Sequence, residues 1–151
     1  MLQLKELEES VKWDALLIQA RSALALKDTL NVTAAYQLIE KAPESLIAAE
    51  ALYFRAQDFF NKKNYPASIE WIEKIAAKGQ VGEWNVKALL LLAKNYFAID
   101  DGFQAVFVLE SLIENFSSFS EEVKEAESLI EKYQLNLAKE NRSVNNEVDV
   151  E

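Results

Sequence analysis

Small residues recur twelve positions apart in three stretches of this chain: Ala23 with Ala35, Ala56 with Ser68, and Ala93 with Ala105. A large apolar residue follows the second member of each pair at a distance of four, at Ile39, Ile72 and Leu109. Two antiparallel helices approach closely only where a small side chain meets a larger one that fills the hollow. Three such pairings, each leaving an apolar face for the next to cover, predict an all-α fold. The expected form is a right-handed α-solenoid of about three helix-turn-helix units. A solenoid presents a surface and rarely houses a reaction centre.

Only 3 Gly and 2 Pro punctuate the 151 residues, and 50% of them are hydrophobic, which favours long helices over many short strands. Leu2, Leu4 and Leu7 predict a short amphipathic helix over about 2–9, and a second helix covers about 11–27. Asp28 to Asn31 reads as a turn, and the next helix, about 32–42, stops at Pro43. Ser45 has the chemistry of an N-cap for a helix to about residue 62. Lys63-Asn64 makes a turn, and Pro66 falls in the first turn of a helix ending near Lys78, with Gly79 as its C-cap. A helix over about 84–99 follows, then a turn at 100–102 with Asp101 and Gln104 at capping-box spacing. A helix over about 103–116 precedes the last, which Ser118 and Glu121 open at the same spacing.

Aligned on the small residues, the units lie near 16–48, 49–85 and 86–118, with periods of 33 and 37 residues. Gly79 and Gly82 lie in the excess of the second gap. A C-terminal capping helix over 119–138, apolar at Val123, Ala126, Ile130, Tyr133 and Leu137, completes a single domain over 1–138. Residues 139–151 lack periodicity and read as a disordered acidic tail.

Charge and residue inventory narrow the function. A formal net charge of -9 lacks the basic footprint of a nucleic-acid binder and disfavours anionic membrane surfaces. With no His and no Cys, the commonest general base and the usual transition-metal ligands are missing, so neither a metal nor another cofactor is expected. Adjacent carboxylates such as Glu8 with Glu9 and Asp100 with Asp101 diverge on a helix or cap turns rather than forming an acid–base pair. The longest apolar run, Ala88 to Ala93, is far short of a membrane span, and the N-terminus lacks the basic start and apolar stretch of a secretion signal. The expectation is a non-enzymatic chain.

The periods resemble the tetratricopeptide repeat, a two-helix unit of about 34 residues. The middle unit carries the resemblance best, with Ala56, Phe59 and the turn Lys63-Asn64-Tyr65, although Lys63 stands where the family has glycine. The third unit has Ala93, Tyr96, Ala105 and Leu109, with Gly102 at the turn aromatic and Phe103 beside it, and the first unit lacks the aromatics. The stretch from Trp84 to Tyr96, followed by Phe103-Gln-Ala, resembles the final repeats of large bacterial cell-envelope tetratricopeptide proteins. That resemblance implies a C-terminal fragment of an envelope-assembly protein, periplasmic or outer-membrane-associated; a chain complete as written would be cytoplasmic.

In that family the first helix of each unit lines a concave groove. Carried onto this chain, the groove positions are Leu17, Ala20, Leu24 and Lys27; Glu50, Tyr53, Gln57 and Phe60; and Lys87, Leu90, Lys94 and Phe97. Such a groove suits an extended peptide or a partner helix, with Lys87 and Lys94 on one helical face either donating to a partner's carboxylates or forming a solvated face. The family's terminal-carboxylate clamp is not expected, because Asn and Arg are lacking at the other groove positions. Trp13, Trp71 and Trp84 read as packing residues, with Trp84, at a loop–helix junction, the best placed for exposure.

The resulting expectation is a protein–protein interaction or scaffold module. One alternative is a self-associating repeat domain that forms a homodimer through exposed apolar ends; another is a small all-α ligand carrier or enzyme.

Overall fold

The computed structural model describes residues 2–43 and 45–148, with the side chains of 7–43 and 46–142. Among the described residues there are seven helices and no strand: α1 (Leu2–Ala25), α2 (Thr29–Ile39), α3 (Ser45–Asn61), α4 (Tyr65–Ala76), α5 (Glu83–Ala98), α6 (Gly102–Asn115) and α7 (Ser120–Val148). The expected side-chain cap at Ser45 and the last residues of the tail lie outside the described set. The chain divides into two compact units, 1–88 and 89–151, with the boundary inside α5.

Two expectations fail at the ends. Residues 2–25 form one helix rather than two, since no Gly or Pro interrupts 9–11. α7 continues to Val148 through most of the stretch expected to be disordered, and that segment also lacks a breaker.

One device makes all three hairpin turns. Lys27, Lys63 and Asp100 have φ of 57°, 60° and 66°, the left-handed conformation that ends a helix. The next residue donates its N–H back five residues: Asp28 to Ala23 O, Asn64 to Phe59 O and Asp101 to Tyr96 O, each at 2.9 Å. The side chain of that same residue then caps the following helix, accepting from the N–H of Asn31, Ala67 and Gln104 respectively. At Asp28 the Asn31 side-chain amide adds a second bond, and the two hold the carboxyl below the usual carboxylate range. The capping spacing of Asp101 and Gln104 and the first-turn place of Pro66 are as expected from sequence.

These turns correct the register of the first unit. The left-handed residues are 36 and 37 positions apart, so the two intervals are nearly equal. Ala56 and Ala93 precede their turns by seven residues, a place held in the first unit by Ala20 rather than Ala23. Val32 and Tyr36 likewise stand where Ser68 with Ile72, and Ala105 with Leu109, stand in the others. The supposed four-residue excess came from aligning on the wrong alanine. Ala20 and Ala23 are three apart, share a helical face and are both buried, so their size alone does not separate them.

Within unit 1, α1 packs on α2, α2 on α3 and α3 on α4. Leu17, Ala20, Ala35, Tyr36, Ile39, Ala42, Ile47 and Ala51 form one core cluster, edged by Trp13, Leu16, Val32 and Phe54. The predicted small-to-large contacts of the second hairpin are interior, with Ala56, Ser68 and Ile72 all buried. In unit 2, α6 packs on α7, and Leu91, Ala93, Ala105, Leu109, Leu112 and Ala126 are buried. Gly102, the first residue of α6, lies so close to α7 that a Cβ there would overlap the ring of Tyr133.

Candidate functional site

The residues carried over as groove positions separate into three environments. Leu17, Glu50 and Leu90 are buried, so they are interior residues rather than contact surface. In unit 2, α7 covers its share of the set: Lys94 Nζ lies 2.7 Å from Glu125 Oε1, and the ring of Phe97 packs at 5.3 Å from that of Tyr133. In unit 1, Lys87 folds back on its own helix, 2.6 Å from Glu83 and 4.4 Å from the centre of the Trp84 ring. Phe60 is half-buried against Tyr65 at 5.7 Å. Trp84 is buried, packed against Tyr53 and Phe54, so it is not the exposed aromatic its loop-edge place suggests.

Glu50 is 3% exposed and held by two helices at once. Arg21 of α1 donates from Nε to Oε1 at 2.9 Å and from its terminal nitrogen to Oε2 at 2.6 Å, a two-pronged charge-assisted pair. Tyr36 of α2 donates its hydroxyl to Oε1 at 3.3 Å. Burial, reinforced by the Glu50 charge, pushes the Tyr36 hydroxyl well above the usual phenol range, so it stays a donor. The hydrogen bond to Glu50 likewise raises Arg21 above its already high value. Three helices are thus joined at one carboxylate, and the group is structural.

Three members of the groove set come together at one cleft of unit 1, while Tyr53, Phe60, Lys87, Lys94 and Phe97 are half-buried elsewhere. Leu24 and Lys27, at the end of α1, and Gln57 of α3 line a cavity of about 270 Å³. Its floor is the stacked pair Tyr36 and Phe54, with ring centres 4.6 Å apart and planes 18° from parallel. Polar groups ring the mouth: Thr29 and Thr33 from α2, Arg55, Asp58 and Asn61 from α3. Along α3 the hydroxyl of Tyr53 donates to Gln57 Oε1 at 3.3 Å, and Gln57 Nε2 donates to Asn61 Oδ1 at 3.2 Å. This run fixes the Gln57 amide orientation at the cleft wall. Arg55 is positioned by packing over Trp71 at 4.7 Å, with Glu40 3.9 Å from its Nε.

An aromatic floor with a rim of mixed donors and acceptors suits a short polypeptide segment, which offers side chains to the floor and backbone groups to the rim. Phe54, Asn61 and the α2 threonines were not among the expected positions. On α3 the cleft uses 54, 55, 57, 58 and 61, whereas the family pattern pointed to 50, 53, 57 and 60, a face turned by about one residue. The stacking of Phe54 on Tyr36 draws that side of α3 toward α2.

Two further surfaces carry large exposed apolar side chains. Leu7, Val11 and Ile18 of α1 and Leu30 and Leu38 of α2 are exposed in unit 1, and Ile99, Phe103 and Phe107 in unit 2. No helix among the described residues is long and apolar enough to cross a membrane, and no three acidic side chains there come together as a cation-holding group. The chain matches no protein-family model, and no curated protein or solved structure is significantly similar to it.

Proposed function

We propose that this chain is a non-enzymatic interaction module of the tetratricopeptide-like solenoid kind, and that the unit 1 cleft takes a short segment of a partner protein. The observation that carries this reading is the tandem repetition of one hairpin turn at 36 and 37 residues. Repetition of a structural unit builds surface, and surface is what interaction modules supply. The cleft supplies the rest: stacked aromatics for apolar side chains, and Lys27, Gln57 and Asn61 for hydrogen bonding. The envelope resemblance of the Trp84 to Tyr96 stretch suggests bacterial envelope assembly as the setting in which to seek the partner.

The test is a peptide array probed with the full chain and with the double variant Leu24→Lys, Gln57→Lys, which crowds the cleft without touching the fully buried core. A recurring bound motif lost in this variant, and kept in the control Lys78→Ala at an exposed position after α4, supports the reading. Binding that survives the double variant sinks it. The exposed Leu7, Val11, Ile18, Leu30 and Leu38 favour a second reading, in which unit 1 also associates with a copy of itself.

A further inference from the structure

We infer that the outer face of α6 docks a basic amphipathic helix of a partner protein, independently of the unit 1 cleft. Phe103 and Phe107 lie one helical turn apart and are 77% and 62% exposed, and Ile99 in the preceding turn is exposed beside them in sequence. A phenylalanine has on the order of 200 Å² to bury, so this patch is on the order of 300 Å², the size of the largest apolar patch on many monomers. Glu110 and Glu114 continue the stripe at the seventh and eleventh positions after Phe103, both exposed. Neither has an ion-pair partner among the described residues.

Along the chain on either side of the stripe, and within α6 itself, the charge has one sign. From Asn95 to Val123 there is no Lys or Arg, while Asp100, Asp101, Glu110, Glu114, Glu121 and Glu122 are all acidic. The stripe runs about 16 Å along the helix axis, at about 1.5 Å per residue. A partner helix lying along it places apolar side chains of successive turns against Phe103 and Phe107. Lys or Arg on its next two turns then meet Glu110 and Glu114. An acidic helix would meet like charge along the same line. A second copy of this chain is a poor occupant, because with a formal net charge of -9 it meets like charge at the acidic end of the stripe.

Fluorescence anisotropy of the full chain with a labelled Leu/Ala/Lys amphipathic helical peptide tests this, with the same peptide carrying Glu for Lys as comparison. The lysine peptide binds at least about tenfold tighter than its acidic counterpart, and Phe103→Ser with Phe107→Ser weakens it by a similar factor while helical circular dichroism is unchanged. Glu110→Lys with Glu114→Lys reverses the preference between the two peptides. Leu24→Lys with Gln57→Lys, which disables the cleft, leaves this binding intact, so the two sites fail separately. Equal binding of both peptides, or binding indifferent to the α6 variants, overturns the inference. So does a homodimer that Phe103→Ser dissociates, which would make a second copy the occupant.

Discussion

The Arg21–Glu50 pair joins side chains of opposite exposure, 59% for the guanidinium and 4% for the carboxylate. Losing the arginine strands a charge in the interior, whereas losing the carboxylate charge leaves the arginine mostly in water. Arg21→Met is therefore expected to cost about 3 kcal/mol and Glu50→Gln about 1–2 kcal/mol in urea unfolding. The reverse order would mean that Glu50 is hydrated in the native state. A hint of this role is present in the sequence, where Glu50 interrupts the apolar run Ile47 to Leu52 and so must have apolar neighbours around it. Its partner was not legible. Arg21 is 29 residues away, and only the packing of α1 and α2 onto α3 brings it near. The family pattern accordingly placed Glu50 in an open groove, where the charge would have been solvated.

At the scale of elements, most breakers were legible, but two caps were not: α4 is capped at Ala77 rather than Gly79, and α7 opens at Ser120, past the Ser118 expected to cap it. Pro66, the Asp101–Gln104 spacing and the three turns follow from local chemistry that a few adjacent residues contain. The continuity of α1 and the length of α7 depend instead on nothing stopping the helix, which leaves no mark in a pattern search. Residues 134–142 of α7 are exposed along their whole length, so their helix rests on its own backbone bonds. The α6–α7 contact is of the opposite kind. An alanine at an unobstructed helical glycine normally adds about 0.4–1 kcal/mol of stability. At Gly102 the Tyr133 ring occupies the space, and Gly102→Ala should instead lose about 1–3 kcal/mol. Adding Tyr133→Leu should recover part of that loss, as double-mutant unfolding measurements will show; additive costs would mean that the two residues do not touch.

For the whole molecule, the all-helical character was legible. Of the expected spacings of 33 and 37, only the second matches the turn spacings of 36 and 37, because alanines three apart on α1 look alike until the turn at Lys27 fixes the count. The apolar residues left exposed in unit 1 give the molecule-scale prediction. If they mediate self-association, the weight-average mass from light scattering rises with concentration. Ile18→Glu with Leu30→Glu then holds the chain monomeric throughout. A wild-type chain that is monomeric at every concentration rules the self-association reading out.

The hairpin turn bears on how such a chain tolerates changes in length. Asp28, Asn64 and Asp101 each close one helix with the backbone and open the next with the side chain, so no residue in these turns is spare. An insertion there separates the two tasks and leaves one helix end unsatisfied. The described residues between α2 and α3, α4 and α5, and α6 and α7 carry no such double duty, and these segments already differ in length. Insertions and deletions are thus tolerated between hairpins, where a looped-out residue costs little, and resisted inside them.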